Sequence, residues 1–407
     1  MINRNTGVLF ACFLIIFVHY ALRYSYGTLL PEMLGPLSMT KAQAGIIYSS
    51  YFIAYTALAP VLGYLSDRYD VRTILVVFVA IMGGGAFLMA YPSTVSQASF
   101  FFAVAGVGCS ACWAPVMALA QRVTSDKRRG MTLAFVDAGS SLGVMSAGAL
   151  TPLIVAAYDW QTGWASLGIL GFASAIVSFF LIPGRPGKQS NSGAEPKGRK
   201  KLAGITYREL FSDKRFWLVG LAYLFTGFAI IVPFAFISTY AVQELSFPYN
   251  SATRLVTLIG VGGVVGKIVL GPISDKWGRI KILVISAVLI TGGNLAMAYT
   301  RGWTLITFTF IFGLGYGACW SMYAACASDF FSKQAAGGII GLWTVYFGVG
   351  TMLSPLMAGW IADRTGTLMW SFLIAMSGGL ASLLLLLPML RESPAVRSPQ
   401  KAPQALQ

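Results

Sequence analysis

A chain of 407 residues that is 56% hydrophobic and only 11% charged stands far from soluble domains, which carry roughly 25% charged residues. It reads as a protein that crosses a membrane many times. Its formal net charge of +15 does not indicate nucleic acid, because the cations lie between apolar runs, where anionic lipid headgroups attract them; a single histidine limits zinc or triad chemistry, and no phosphate-cradling Gly-rich loop ending in Lys-Ser or Lys-Thr occurs, so neither ATP nor any cofactor is expected.

A transmembrane helix needs about 20 mostly apolar residues. Twelve candidates occur, at about 8–30, 43–66, 72–91, 96–121, 131–157, 161–182, 215–241, 253–274, 280–300, 303–327, 337–361 and 368–390. The first has no small-residue cleavage site and reads as a spanning helix, not a signal peptide. It carries His19 and Arg23, four apart and so on one helix face, with Tyr20, Tyr24 and Tyr26 around them. A guanidinium and hydroxyls on a cavity face can orient a carboxylate. Two alternatives stay open for Arg23: an internal pair with Asp137 of the fifth helix, or snorkelling to the outer interface. His19, titrating near neutrality, and Asp137 are the proton-coupling candidates.

Between helices 2 and 3 runs Gly63-x-x-x-Asp67-Arg68-x-Asp70-x-Arg72. Helix 4 holds Cys109-x-x-Cys112 and Trp113. Five cysteines, all in apolar spans, read as small packing residues and not as a metal or redox site. In helix 5, Gly139-x-x-x-Gly143 lets backbones approach closely. Residues 183–214, rich in Gly, Ser, Pro and cations, cannot build a core and read as a cytoplasmic linker. They separate an amino-terminal bundle (1–182) from a carboxy-terminal one (215–390), with a disordered cytoplasmic tail over 391–407.

Helix 8 contains Gly262-x-x-x-Gly266-Lys267 and runs into Gly271-x-x-x-Asp275-Lys276-x-Gly278-Arg279. Lys267 sits deep in an apolar stretch, where a cation costs roughly 2.5–3.5 kcal/mol even on a lenient scale and marks a functional site by default. A structural lysine paired with an acid is the alternative. Helix 10 carries Tyr316, Trp320 and Tyr323, and Trp320 matches Trp113 of helix 4. Such aromatics can wall or gate a cavity, or simply pack. After helix 11, Gly359-x-x-x-Asp363-Arg364-x-Gly366 repeats the loop template once more, at a place that reads as a helix end with exposed charges.

With both termini cytoplasmic, 23 of the 29 Lys and Arg fall on the inner side and four (Lys41, Arg254, Arg301, Arg364) on the outer, leaving Arg23 and Lys267 within spans. That bias orients a multi-pass protein in the cell (inner) membrane. The halves also repeat. Asp67 and Asp275 stand 208 residues apart, and Gly106-x-Gly108-x-x-x-Cys112-Trp113 recurs 207 residues on as Gly313-x-Gly315-x-x-x-Cys319-Trp320. Parallel six-helix repeats place a solute site between the halves near the midplane.

Both loops resemble the signature loop of the major facilitator superfamily, G-x-x-x-D-[RK]-x-G-[RK]-[RK], and with the twelve helices, linker and duplication the resemblance spans about residues 8–390. It implies an all-α membrane fold of two pseudo-symmetric six-helix bundles that works by alternating access. It also implies a cytoplasmic latch in the outward-open state at Gly63, Asp67, Arg68 and Arg72, and at Gly271, Asp275, Lys276 and Arg279. The first copy departs at Asp70, where the pattern has glycine. Lys267 resembles the cationic position of the oxalate and monocarboxylate carriers, where arginine commonly stands. The expected function is therefore a monomeric secondary carrier of a small anionic solute, a carboxylate, coupled to protons or a counter-anion. Its substrate-binding candidates are Arg23, Lys267, Tyr20, Tyr24, Trp113, Tyr316 and Trp320. A proton-driven drug or metabolite exporter is the alternative. The Arg-x-x-Gln-Gly and Gly-Pro-x-x-Gly-Gly patterns common in exporters are absent from helices 4 and 5. A membrane sensor would need a signalling domain, and the largest non-membrane segment is the linker.

Overall fold

The structure, a computed structural model, describes residues 4–124, 129–184, 201–202, 205–331 and 336–391. Most of the expected linker, the expected tail and the Asp67 side chain lie outside the described residues.

Twelve helices are long and apolar enough to cross a membrane: spans 1 to 12 are Arg4–Leu34, Lys41–Gly63, Val71–Leu88, Val95–Arg122, Met131–Ala157, Trp160–Leu181, Lys214–Gln243, Tyr249–Trp277, Arg279–Tyr299, Gly302–Phe330, Gly337–Thr365 and Met369–Arg391. All twelve expected stretches are present. In lipid every backbone polar group must find a partner within the protein, which is why the spanning elements are helical. Between the halves the described part of the expected linker includes an antiparallel strand pair, Lys201–Leu202 with Ile205–Thr206, and a helix, Tyr207–Ser212.

Two spans are interrupted. Span 4 divides into Val95–Cys109 and Ala114–Arg122, with a turn between. Span 10, which repeats its glycines, Cys and Trp, is continuous. Pro115 accounts for the difference: it has no N–H to offer the preceding turn and its ring clashes there, whereas span 10 has Met322 at the matching position. Span 5 likewise divides at Leu150, two residues before Pro152.

The halves pack by the same scheme. Spans 1, 2 and 3 lie against 5, 4 and 6, as spans 7, 8 and 9 lie against 11, 10 and 12. Across the halves, span 1 meets 7, span 2 meets 11 and span 5 meets 8. These seams are tight at the end of the molecule away from the cation-rich loops. A Cβ on Gly27 would stand inside the Phe234 carbonyl, and one on Gly148 would strike Thr257, so these crossings need the bare backbone. Ser49 donates to the Met352 carbonyl at 2.7 Å, and Tyr249 to that of Thr28 at 2.9 Å. Among the described residues the contacts between the halves reach as far as Thr56–Gly348 on one seam and Asp137–Lys267 on the other, and Gly63 and Gly271, nearer the basic end, have open space where a side chain would stand. The halves are closed on one another at the Lys41 end.

Candidate functional site

Four-residue spacing on span 1 sends His19 and Arg23 towards span 2. Arg23 is 2% exposed. Its guanidinium carbon lies 4.5 Å from the Phe52 ring centre, 5.3 Å from Tyr24 and 5.9 Å from both Tyr51 and Tyr55. Desolvated cation–π contacts contribute up to about 2 kcal/mol each. They cannot satisfy N–H groups, and Nε and Nη2 have no hydrogen-bond partner. No carboxylate pairs with Arg23 among the described residues. His19 Nε2 lies 3.1 Å from the Tyr51 hydroxyl, and its Nδ1 has no partner.

Tyr20 and Tyr24 extend this cluster across the molecule. Tyr20 packs on Trp113, the residue at the break in span 4, at 6.1 Å between ring centres. Tyr24 packs at a tilt on Phe234 of span 7, 4.0 Å between ring centres, and Tyr316 of span 10 donates to its hydroxyl at 3.4 Å. Tyr316 continues to Trp320, which contacts Phe347 and Tyr223 and whose buried Nε1 has no partner. The structure thus gathers His19, Tyr20, Arg23, Tyr24, Trp113, Tyr316 and Trp320 into one cluster bridging both halves.

Lys267 has a different setting from the one expected of a second free cation. Its Nζ donates to Asp137 Oδ2 at 2.8 Å and to Ser140 Oγ at 2.9 Å, with 23% of the lysine and 29% of the aspartate side chain exposed. Asp137 therefore partners Lys267 across the halves and not Arg23 within its own. A turn before Lys267, a Cβ on Gly263 would touch the Tyr316 ring at 3.4 Å, so the ion pair borders the aromatic cluster.

The gating-loop residues lie apart, at the basic end. Arg279 holds Asp275 at 2.5 Å, approaches Asp329 at 3.9 Å and donates to Ser274, all within its own half. Lys276 and Arg68 are exposed, and Arg72 lies 4.0 Å over the Phe179 ring. The departure at Asp70 has a geometric consequence. Gly278 takes φ +95°, a left-handed value suited to glycine, whereas Asp70 takes φ −66° and begins the next helix conventionally.

The third copy of the template is a helix end with exposed charges, as expected, and its acid also has a partner in the other half. The Asp363 carboxylate accepts the N–H groups of Lys41 and Ala42, at 3.0 and 2.8 Å, at the amino end of span 2. Nearby, Lys41 Nζ meets Glu244 at 3.1 Å, and Glu244 also accepts from Leu368 N at 2.7 Å. The five cysteines are unpaired and buried.

The sequence reading missed Tyr51, Phe52, Tyr55 and Ser140. Tyr48, Tyr51, Phe52 and Tyr55 recur at three- and four-residue intervals, the signature of an aromatic stripe along one helix face.

A family model described as Major Facilitator Superfamily matches residues 12–299 and 242–406. The chain is 24% identical to a probable sulfoacetate transporter of Cupriavidus necator, with 91% of each chain covered. It is 22% identical to monocarboxylate transporter 4 of Gallus gallus, over 91% of this chain and 79% of that one. Among solved structures, the nucleoside transporter NupG superposes with a TM-score of 0.78 at 15% identity, covering 94% of this chain and 99% of that one.

Proposed function

The chain belongs to the major facilitator superfamily, and on that premise we propose that this transporter is a secondary carrier of small organic anions, carboxylates foremost. It would work as a monomer in the inner membrane with both termini cytoplasmic, its bundles (1–182 and 215–390) rocking about the aromatic cluster. Protons or a counter-anion supply the driving force, with His19 and Asp137 as the titratable groups nearest the cluster. The named substrates of the two relatives, sulfoacetate and monocarboxylates, are in keeping with an anionic guest.

One observation carries the reading: Arg23 is buried among rings with two nitrogen donors unsatisfied. A buried unpaired charge costs several kcal/mol, and a carboxylate would supply both the missing charge and the missing acceptors. A lipophilic cation would meet repulsion in the same place, which disfavours drug export. In alternating access the loops around Asp67 and Asp275 would close the basic end when the Lys41 end opens.

The test is uptake of labelled small carboxylates into proteoliposomes. Wild-type protein should accumulate at least one of them, and Arg23→Gln should reduce that uptake to background while remaining monodisperse. Uptake at the wild-type rate by folded Arg23→Gln protein would remove the basis of the proposal.

A further inference from the structure

We propose that Asp137 sets the charge of the guest: by neutralising Lys267 it leaves Arg23 as the single uncompensated cation at the cluster, so the site takes monoanions and turns away dianions. This rests on the carrier reading above and adds a selectivity to it.

Two cations border the aromatic cluster, and they differ in state. Arg23 has no acid among the described residues and two orphaned donors, while Lys267 is bonded at once to Asp137 and Ser140, at 2.8 and 2.9 Å. The single Ser140 hydroxyl proton has the Asp137 carbonyl at 2.7 Å and Asp137 Oδ1 at 3.1 Å as acceptors, so Lys267 is the principal partner of the carboxylate. A guest with one carboxylate satisfies Arg23 and leaves this triad intact. A second carboxylate would have to displace Asp137 from Lys267, stranding one partly buried acid to pair another, or sit uncompensated among rings; both are unfavourable. The remaining wall is Tyr316, Trp320, Phe347 and Tyr223, which offers an unsatisfied Trp320 N–H and apolar faces but no further cation. A guest of this class has one acidic group, a compact apolar body and a hydrogen-bond acceptor. Asp137 is thus a specificity-determining residue that acts through Lys267.

The experiment measures binding to the purified full-length protein of matched mono- and dicarboxylates of three to six carbons, with the monomethyl esters of the diacids as monoanionic mimics and sulfoacetate as a further dianion. Measurements are made at a pH where every acid is ionised. Wild-type protein should bind the best monoanion and its ester-matched analogue at least tenfold more tightly than the corresponding dianion. Asp137→Asn, which frees Lys267, should move that ratio at least tenfold towards the dianion. Asp137→Glu and the charge-neutral pair Asp137→Asn with Lys267→Met should keep the wild-type ratio. Where Asp137→Asn does not fold, the wild-type ratio and the double variant still decide. Equal or tighter dianion binding by wild-type protein, or an unmoved ratio in folded Asp137→Asn, overturns this inference while leaving the carrier reading standing. Binding of no acid at all sinks both.

Discussion

Asp363, near the end of span 11, accepts the backbone N–H of Lys41 at 3.0 Å and so caps the first turn of span 2 in the opposite bundle. A helix amino end carries unsatisfied N–H groups and a partial positive charge, and a carboxylate there supplies both acceptor and counter-charge. Because donor and acceptor belong to different halves, the cap exists only while the Lys41 end is closed. Opening that end leaves the first turn to water and the Thr40 hydroxyl, which already caps Gln43.

Loss of this cap should shift the balance between the two ends. Asp363→Ala is expected to raise the fraction of molecules open at the Lys41 end by roughly 2- to 30-fold, the range for removal of a helix cap. Spin labels or fluorophores across the span 2–span 11 seam would report it as a longer inter-label distance. An unchanged distance distribution would mean the cap carries no part of the closure.

Arg23 should trade stability for binding. An uncompensated buried cation costs several kcal/mol, and an apolar side chain of similar length removes that cost. Arg23→Met is therefore expected to unfold at a higher temperature than wild type in the absence of ligand, and to show no rise on adding carboxylate, whereas wild-type protein is raised by its ligand through mass action. A lower unfolding temperature for Arg23→Met would show the guanidinium to be a structural brace.

These outcomes turn on neighbours that differ in how far they could be read from sequence. Twelve apolar runs, the duplicated glycines and the loop template mark out the bundles because hydrophobic length and period are local properties. The breaks in spans 4 and 5 were also within reach, since Pro115 and Pro152 stand in plain view. The partner of Asp137 was not: spacing within one half offers Arg23 as the only buried cation, and only the packing of span 5 on span 8 brings Lys267 to it. The cage around Arg23 lies between, as its four-ring stripe on span 2 is periodic but nothing local says which helix it faces. Asp363 was legible as an exposed charge at a helix end, but its partner lies 322 residues away and no local pattern points to it.

The Lys267–Asp137 pair should behave as a unit. Lys267→Met and Asp137→Asn each leave a partly buried charge without its counterpart, and each should lower the apparent stability. The double variant, which removes both charges, should recover most of the loss. Since about a quarter of each side chain meets solvent, the coupling expected from the cycle is roughly 1–3 kcal/mol, below that of a fully buried pair. Thermal unfolding of the four proteins measures it, and additive losses would mean the two side chains do not sustain one another.

Pro115 should prove to be a positioning residue for Trp113. The proline interrupts span 4 at the level of the aromatic cluster, and the turn it forces presents Trp113 to Tyr20 at 6.1 Å. Pro115→Ala restores the missing N–H, so the helix is expected to continue through 110–113 as span 10 does through 317–320, and the protein to become more stable, by up to about 3 kcal/mol if the full helix-interior penalty of proline is relieved. The same change rotates Trp113 away from Tyr20, because a continuous helix advances by about 100° per residue. Uptake should then fall severalfold while the unfolding temperature rises. A variant that gains stability and keeps full uptake would show that the break serves folding or packing alone, and that the cluster tolerates either placement of the indole.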